Sequence, residues 1–216
     1  MQKPALQRVQ NGMAVEGGVH DPIERYLAGL LVTLNRLPYA EINRVVEALL
    51  GAYRGGRSVF LFGNGGSASL ASHFACDLGK GTAVNGVRRF RVLSLTDNVA
   101  LLTAWANDTR YDDIFAEQLR SFICPKDIAF AISGSGNSPN VLNGLAAARE
   151  AGAFNIVLTG HRGGKAVGLA DLSIIVPSDD MQHIEDLHLT ITHSIFRMVR
   201  EEIWSDQPRA SAAAGF

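Results

Sequence analysis

Apolar residues recur at helical spacing near the start of the chain, where Ile23, Leu27, Leu30, Leu31 and Leu34 share one side of a 3.6-residue period. Asp21-Pro22 places a capping carboxylate just ahead of a proline at the first helical position. Beyond Leu37-Pro38 the period returns through Ile42, Val45, Val46, Leu49 and Leu50 and fades near Arg54. The two stretches predict a helical hairpin over residues 21–54, with apolar stripes that need cover from the core or from another subunit.

Past Gly56 the rhythm changes. Residues 58–62, 90–95, 128–132, 155–158 and 172–176 form short apolar runs, mostly continuous rather than alternating, as in strands covered on both faces. Helices are predicted between them, near 68–78, 114–122, 140–151 and 181–204. Strand–helix alternation of this kind implies an α/β class: a doubly wound, mostly parallel five-stranded sheet flanked by helices, with right-handed crossovers. One domain over residues 21–204 takes in every element, leaving a flexible N-terminus (1–20) and a flexible tail (205–216).

Composition narrows the function. A chain of 216 residues that is 47% hydrophobic can bury a substantial core, which excludes a wholly disordered protein. A formal net charge of −1 argues against a partner held by bulk charge, so no nucleic acid is expected. No apolar run approaches the roughly 18 residues of a membrane span, and residues 1–19 lack the apolar core of a signal peptide. Cys76 and Cys124 form no CxxC pair and are expected as reduced thiols. The expected location is the cytoplasm.

In a doubly wound sheet, ligands sit beyond the carboxyl ends of the strands. Two strand ends carry unusual chemistry: Gly63-Asn64-Gly65-Gly66-Ser67, and Ser133-Gly134-Ser135-Gly136-Asn137-Ser138-Pro139. Glycines let backbone N–H groups approach an anion, serines add hydroxyl donors, and the following helix contributes its dipole. Neither loop holds a lysine or arginine, which excludes a Walker loop, and the spacing fails the dinucleotide fingerprint. A neutral, hydrogen-bonding cradle for a single phosphate remains; a lone tight turn would not require that reading, but two such loops favour it.

The helix after the first loop carries His73 and Asp77 at i and i+4, on one face. The last helix carries Glu185 and His193, eight apart and near two full turns. Two histidines and two carboxylates suit a tetrahedral zinc ion, or a general acid and base beside the phosphate. The same spacing also fits a packed helical histidine and an acidic early turn. His183 and His188 carry no further signal.

Taken in order, Gly-Asn-Gly-Gly-Ser, His-Phe-Ala-x-Asp-Leu, Ala-Asn-Asp, Ile-Ser-x-Ser-Gly-Asn-Ser and Leu-Thr-Gly, closed by a long helix, resemble the sugar isomerase (SIS) domain family, and within it the phosphoheptose isomerases. The resemblance spans roughly residues 21–204. It implies that Asn64, Gly65 and Gly66, with Ser67, surround a sugar phosphate, that Asn107 and Asp108 contact substrate, and that Ser133, Gly134, Ser135 and Ser138 hold the phosphate. It also implies His73, Asp77, Glu185 and His193 as zinc ligands, Asp77 and Glu185 as substrate contacts, and Asp77 and His193 as the catalytic pair. A homotetramer with shared active sites follows from the same source, the hairpin helices lying in its centre.

Three positions depart from the family pattern. Asp77 stands where the isomerases have glutamate, Glu185 where they have glutamine, and Gly134 where threonine is usual. The implied reaction is aldose–ketose isomerisation of a phosphorylated sugar, sedoheptulose 7-phosphate to a heptose 7-phosphate, through an enediol. The rival expectation is a non-catalytic SIS protein, either a phosphosugar binder or a relative of a bacterial replication-initiator-binding protein. His193, Asp77 and Glu185 together favour an enzyme or a metal binder.

Overall fold

All five apolar runs are strands: β1 (Ser58–Gly63), β2 (Arg91–Ser94), β3 (Ile128–Ser133), β4 (Phe154–Thr159) and β5 (Leu172–Ile175). The computed structural model describes residues 22–206 and pairs these strands in parallel, in the order β2-β1-β3-β4-β5. Burial on both faces explains the continuous runs. Val59 and Leu61 enter one core, whereas Phe60 and Phe62 enter the other; Phe130 and Ala131 divide in the same way.

Seven α-helices cover the sheet among the described residues: α1 (Pro22–Leu34), α2 (Tyr39–Gly55), α3 (Gly66–Cys76), α4 (Val99–Asp108), α5 (Ile114–Phe122), α6 (Pro139–Glu150) and α7 (Met181–Ser205). Helices α2, α3 and α7 pack on one face through residues such as Leu49, Phe74 and Ile191. Helices α5 and α6 pack on the other through Phe115, Leu119 and Leu145. None of the described helices is long and apolar enough to cross a membrane.

Three features differ from the sequence reading. Helix α4 has no fully buried residue, so its apolar pattern gives no clear stripe; its start is marked instead by Asn98, whose Oδ1 accepts the Leu101 N–H at 3.0 Å. Helix α3 continues as a π-helical turn over Asp77–Gly81. Helix α7 runs through Ser205, and Arg54 Nη2 donates to Asp206 Oδ2 at 2.7 Å, so the chain is still held where a tail was expected. Asp21 and the remaining expected flexible termini (1–20 and 207–216) lie outside the described residues.

The hairpin helices are covered unequally. Helix α2 buries Ile42, Val45, Val46, Leu49 and Leu50. On α1, Leu30 and Leu34 reach the core, but Ile23 and Leu27 are 65% and 54% exposed. Polar and aromatic contacts fasten α1 to α7: Tyr26 Oη donates to Asp186 Oδ2 at 2.5 Å, and the Tyr26 and His183 rings lie 4.6 Å apart.

The chain leaves β1 toward β2 and returns on the opposite side of β1 at β3. This reversal makes the β1/β3 junction the topological switch point, where a crevice opens beyond the strand ends. Both glycine- and serine-rich loops emerge there.

Candidate functional site

At the end of β1 the backbone crosses very close to β3. A Cβ on Gly63 would lie 2.5 Å from the Ile132 carbonyl oxygen, so only glycine fits. Gly65, with φ +56°, then turns the chain into α3. Ser67 is buried in the first turn.

The β3–α6 loop is folded by its own serines. Ser133 Oγ accepts the Gly136 N–H and Ser135 Oγ accepts the Asn137 N–H, each at 3.2 Å. Both hydroxyls keep an O–H donor for an anion. Ser138 stands at the N-cap of α6, where its side chain makes no capping bond, and Pro139 occupies the first turn. At Gly134 a Cβ would lie 2.6 Å from Met181 Sδ, in a flexible side chain that would have to move. Met181 thus occupies the space that a threonine at 134 would need.

Helices α3 and α7 bring the expected acid–base and ligand residues together. His73 Nε2 and His193 Nε2 are 3.0 Å apart, and Asp77 Oδ2 lies 3.4 Å from the first and 3.9 Å from the second. Asp77 Oδ2 is buried without a hydrogen-bond partner, although the His73 and His193 side chains are about half exposed. These three residues form a group able to hold a metal ion. Behind them, Ser72 Oγ hydrogen-bonds Thr96 Oγ1 at 3.0 Å and Asp97 Oδ1, fastening α3 to the turn after β2.

Glu185 does not join that group. Its carboxylate faces Gly66, where a Cβ would lie 3.3 Å from Oε1. It shares with His73 the wall of a cleft of about 270 Å³ between α3 and α7, lined also by Ser67, Ser69, Asp186 and His188. Asn107 and Asp108 lie outside this cleft at the exposed end of α4, where Asn107 Nδ2 donates to Asp108 Oδ1 at 2.8 Å.

His188, which carried no signal in the sequence, proves unusual. It is 1% exposed, and its Nε2 has no partner. Burial pushes its pKa from 6.5 down to about 4, against a smaller opposing effect of a hydrogen bond with the Thr159 backbone. The unfolded chain therefore takes up a proton near pH 6.5 that the folded chain refuses until about pH 4. Stability is expected to fall as pH drops through that window, by up to about 1.4 kcal/mol per pH unit. Denaturant unfolding of the wild type and His188→Leu between pH 4 and 7.5 checks this; parallel pH curves would contradict it.

One buried amide was also silent. Asn140, 1% exposed at the start of α6, pairs with Asn64, and Tyr111 joins them. The only available signal was an amide directly after Ser138-Pro139.

Comparison with known proteins agrees with this geometry. Residues 25–160 match the family model of the SIS domain. A phosphoheptose isomerase of Aquifex aeolicus is 38% identical over 163 residues, covering 76% of this chain and 85% of the relative. One from Paramagnetospirillum magneticum is 41% identical over 153 residues, covering 71% and 79%. Among solved structures, a phosphoheptose isomerase from Francisella tularensis superposes with a TM-score of 0.78 at 28% identity, covering 86% of this chain and all of that one. The enzyme of Neisseria gonorrhoeae gives 0.77 at 26% identity, covering 83% and 97%.

Proposed function

The chain belongs to the SIS domain family, and from that premise we propose that it is a phosphoheptose isomerase, an aldose–ketose isomerase that interconverts sedoheptulose 7-phosphate and a heptose 7-phosphate. The observation that carries this reading is the buried Asp77 Oδ2, without a hydrogen-bond partner and flanked by two histidine nitrogens, at the end of the helix that the first switch-point loop opens. Curated relatives named phosphoheptose isomerase, at 36–41% identity, supply the reaction class.

The chain's own groups account for the chemistry. Backbone N–H groups of Gly65 and Gly66 and the O–H groups of Ser133, Ser135 and Ser138 bind the phosphate, with the α3 and α6 N-termini favouring its charge. Asn64 and Gly134 shape the loops; Asn107, Asp108, Ser67 and Glu185 contact the sugar. Asp77 takes the proton from the carbon beside the carbonyl and returns it to the neighbouring carbon. His193 moves protons between the two oxygens of the enediol.

Zinc suits the His73, Asp77 and His193 donor set. Ligand atoms about 2.0–2.1 Å from a tetrahedral zinc lie about 3.3–3.4 Å from one another, and the observed separations of 3.0, 3.4 and 3.9 Å bracket that edge. Glu185, on the same cleft wall, is the candidate fourth ligand. A bound zinc would supply Lewis-acid polarisation of the sugar's carbonyl and hydroxyl oxygens. The exposed Leu27 of α1 supports assembly of a homotetramer, whose neighbours would cover it and complete shared sites.

The deciding experiment is isomerisation of sedoheptulose 7-phosphate by metal-stripped and zinc-reloaded protein. Turnover restored by zinc is the expected result. Absence of turnover in both forms, with inorganic phosphate still bound, would leave a phosphosugar-binding protein.

A further inference from the structure

The amides of Asn64 and Asn140 face each other across the β1/β3 switch point. Asn64 Nδ2 donates to Asn140 Oδ1, and Asn140 Nδ2 donates back to Asn64 Oδ1, both at 2.8 Å. Each oxygen carries a second donor: the Val141 N–H reaches Asn140 Oδ1 at 2.9 Å, and Tyr111 Oη reaches Asn64 Oδ1 at 3.1 Å. An amide oxygen has two lone pairs, so both acceptors are filled by the protein itself. The Asn64 side-chain oxygen is therefore unavailable to a substrate hydroxyl.

The placement of the pair gives it a purpose. Asn64 lies in the loop that opens α3, and Asn140 lies two residues beyond Ser138 on the rigid first turn of α6. Tyr111 belongs to the 3-10 turn (Tyr111–Asp113) that follows α4 and its Asn107-Asp108 end. Buried amides that lose one partner leave the other unsatisfied, so the pair has one favoured geometry. Anion binding by two loops depends on their separation being held within a fraction of an ångström.

We propose that Asn140 is a positioning residue for the isomerase: its reciprocal bond with Asn64 sets the spacing of the two phosphate-binding loops, and Tyr111 ties the substrate-contacting end of α4 to the same latch. The assignment rests on the isomerase reading, in which both loops hold one phosphate.

Asn140→Ala and Tyr111→Phe test it, with KM and kcat for sedoheptulose 7-phosphate, the affinity for inorganic phosphate, and thermal unfolding measured together. Asn140→Ala is expected to weaken both KM and phosphate affinity about tenfold, the factor one ordinary buried hydrogen bond carries, with kcat changed far less. Tyr111→Phe, at an exposed residue, is expected to shift both by about two- to threefold without lowering the melting temperature. The double variant Asn64→Ala/Asn140→Ala should bind phosphate no more weakly than the worse single variant. A lower melting temperature for Asn140→Ala with unchanged KM and phosphate affinity would overturn the proposal, leaving a purely structural pair. Should Asn140→Ala fail to fold, unchanged constants in Tyr111→Phe would overturn it equally. A wild type that binds phosphate but turns over no heptose phosphate, with affinity still lost in Asn140→Ala, would remove the isomerase reading and keep the latch.

Discussion

Replacing Asp77 by Asn is expected to lower kcat for heptose phosphate isomerisation about a thousandfold, the scale on which a positioned general base contributes. The fold should survive. Asp77 Oδ2 makes no hydrogen bond, the side chains are isosteric, and the residue sits where α3 passes into its π-helical turn, a junction held by backbone bonds. The complication is that Asp77 also belongs to the candidate ligand group, so a lost charge could act through lost metal. Bound zinc therefore has to be measured beside turnover. The base role requires Asp77→Asn to remain inactive when loaded with zinc. Asp77→Glu supplies the second arm: it keeps the carboxylate and matches the residue type of the family pattern, so it should retain far more activity than Asp77→Asn, and any loss reads the displacement that one added methylene imposes on the base. A zinc-loaded Asp77→Asn enzyme with wild-type turnover would sink the assignment of Asp77 as the base.

The sheet was legible because of how it is buried. Consecutive residues of β1 and β3 serve opposite cores, Val59 one side and Phe60 the other, so their apolar runs are unbroken and stand out from helical periods. Helix α4 was not legible, because none of its residues is fully buried and no stripe marks it. His73 and Asp77 could be paired from sequence because i and i+4 share a helix face. Grouping His193 with them rested on the donor types and on the resemblance, not on spacing, since packing of α7 on α3 makes that contact. The eight-residue spacing of Glu185 and His193 puts both on the side of α7 that faces α3. About two helical turns, roughly 12 Å at 1.5 Å per residue, separate them along that side, so Glu185 faces Gly66 while His193 faces His73. Asn140 left no periodic trace: its value comes from an amide partner 76 residues away.

Gly136→Ala is expected to be severely destructive, the Cβ clash at Gly136 being the shortest among the described glycines. Gly136 has φ +64°, and a Cβ there would lie 2.1 Å from the Gly163 carbonyl oxygen and 3.0 Å from Thr159 Oγ1. The nearest obstacle is backbone, so no side-chain rotation relieves it. Moving Gly163 is obstructed in turn, because a Cβ on Gly164 would lie 2.6 Å from the Gly136 oxygen and the Ala166 N–H donates to that same oxygen at 2.9 Å. The loop after β3 and the loop after β4 are interlocked through bare backbone, and the strand spacing of the sheet fixes the distance between them. The left-handed conformation alone costs an alanine about 1 kcal/mol; the overlap should bring the total to at least about 3 kcal/mol, in the range of severe steric substitutions. Gly86→Ala isolates the first contribution, since Gly86 has φ +80° and open space around it. Denaturant unfolding of both variants, with inorganic phosphate binding measured alongside, separates conformation from collision. Gly136→Ala should lose phosphate binding together with stability, because the amides and hydroxyls of residues 133–138 can no longer hold their common geometry, whereas Gly86→Ala should bind as the wild type does. Equal stability losses in the two variants would mean that the interlock yields, and that the phosphate loop is softer than its backbone contacts imply.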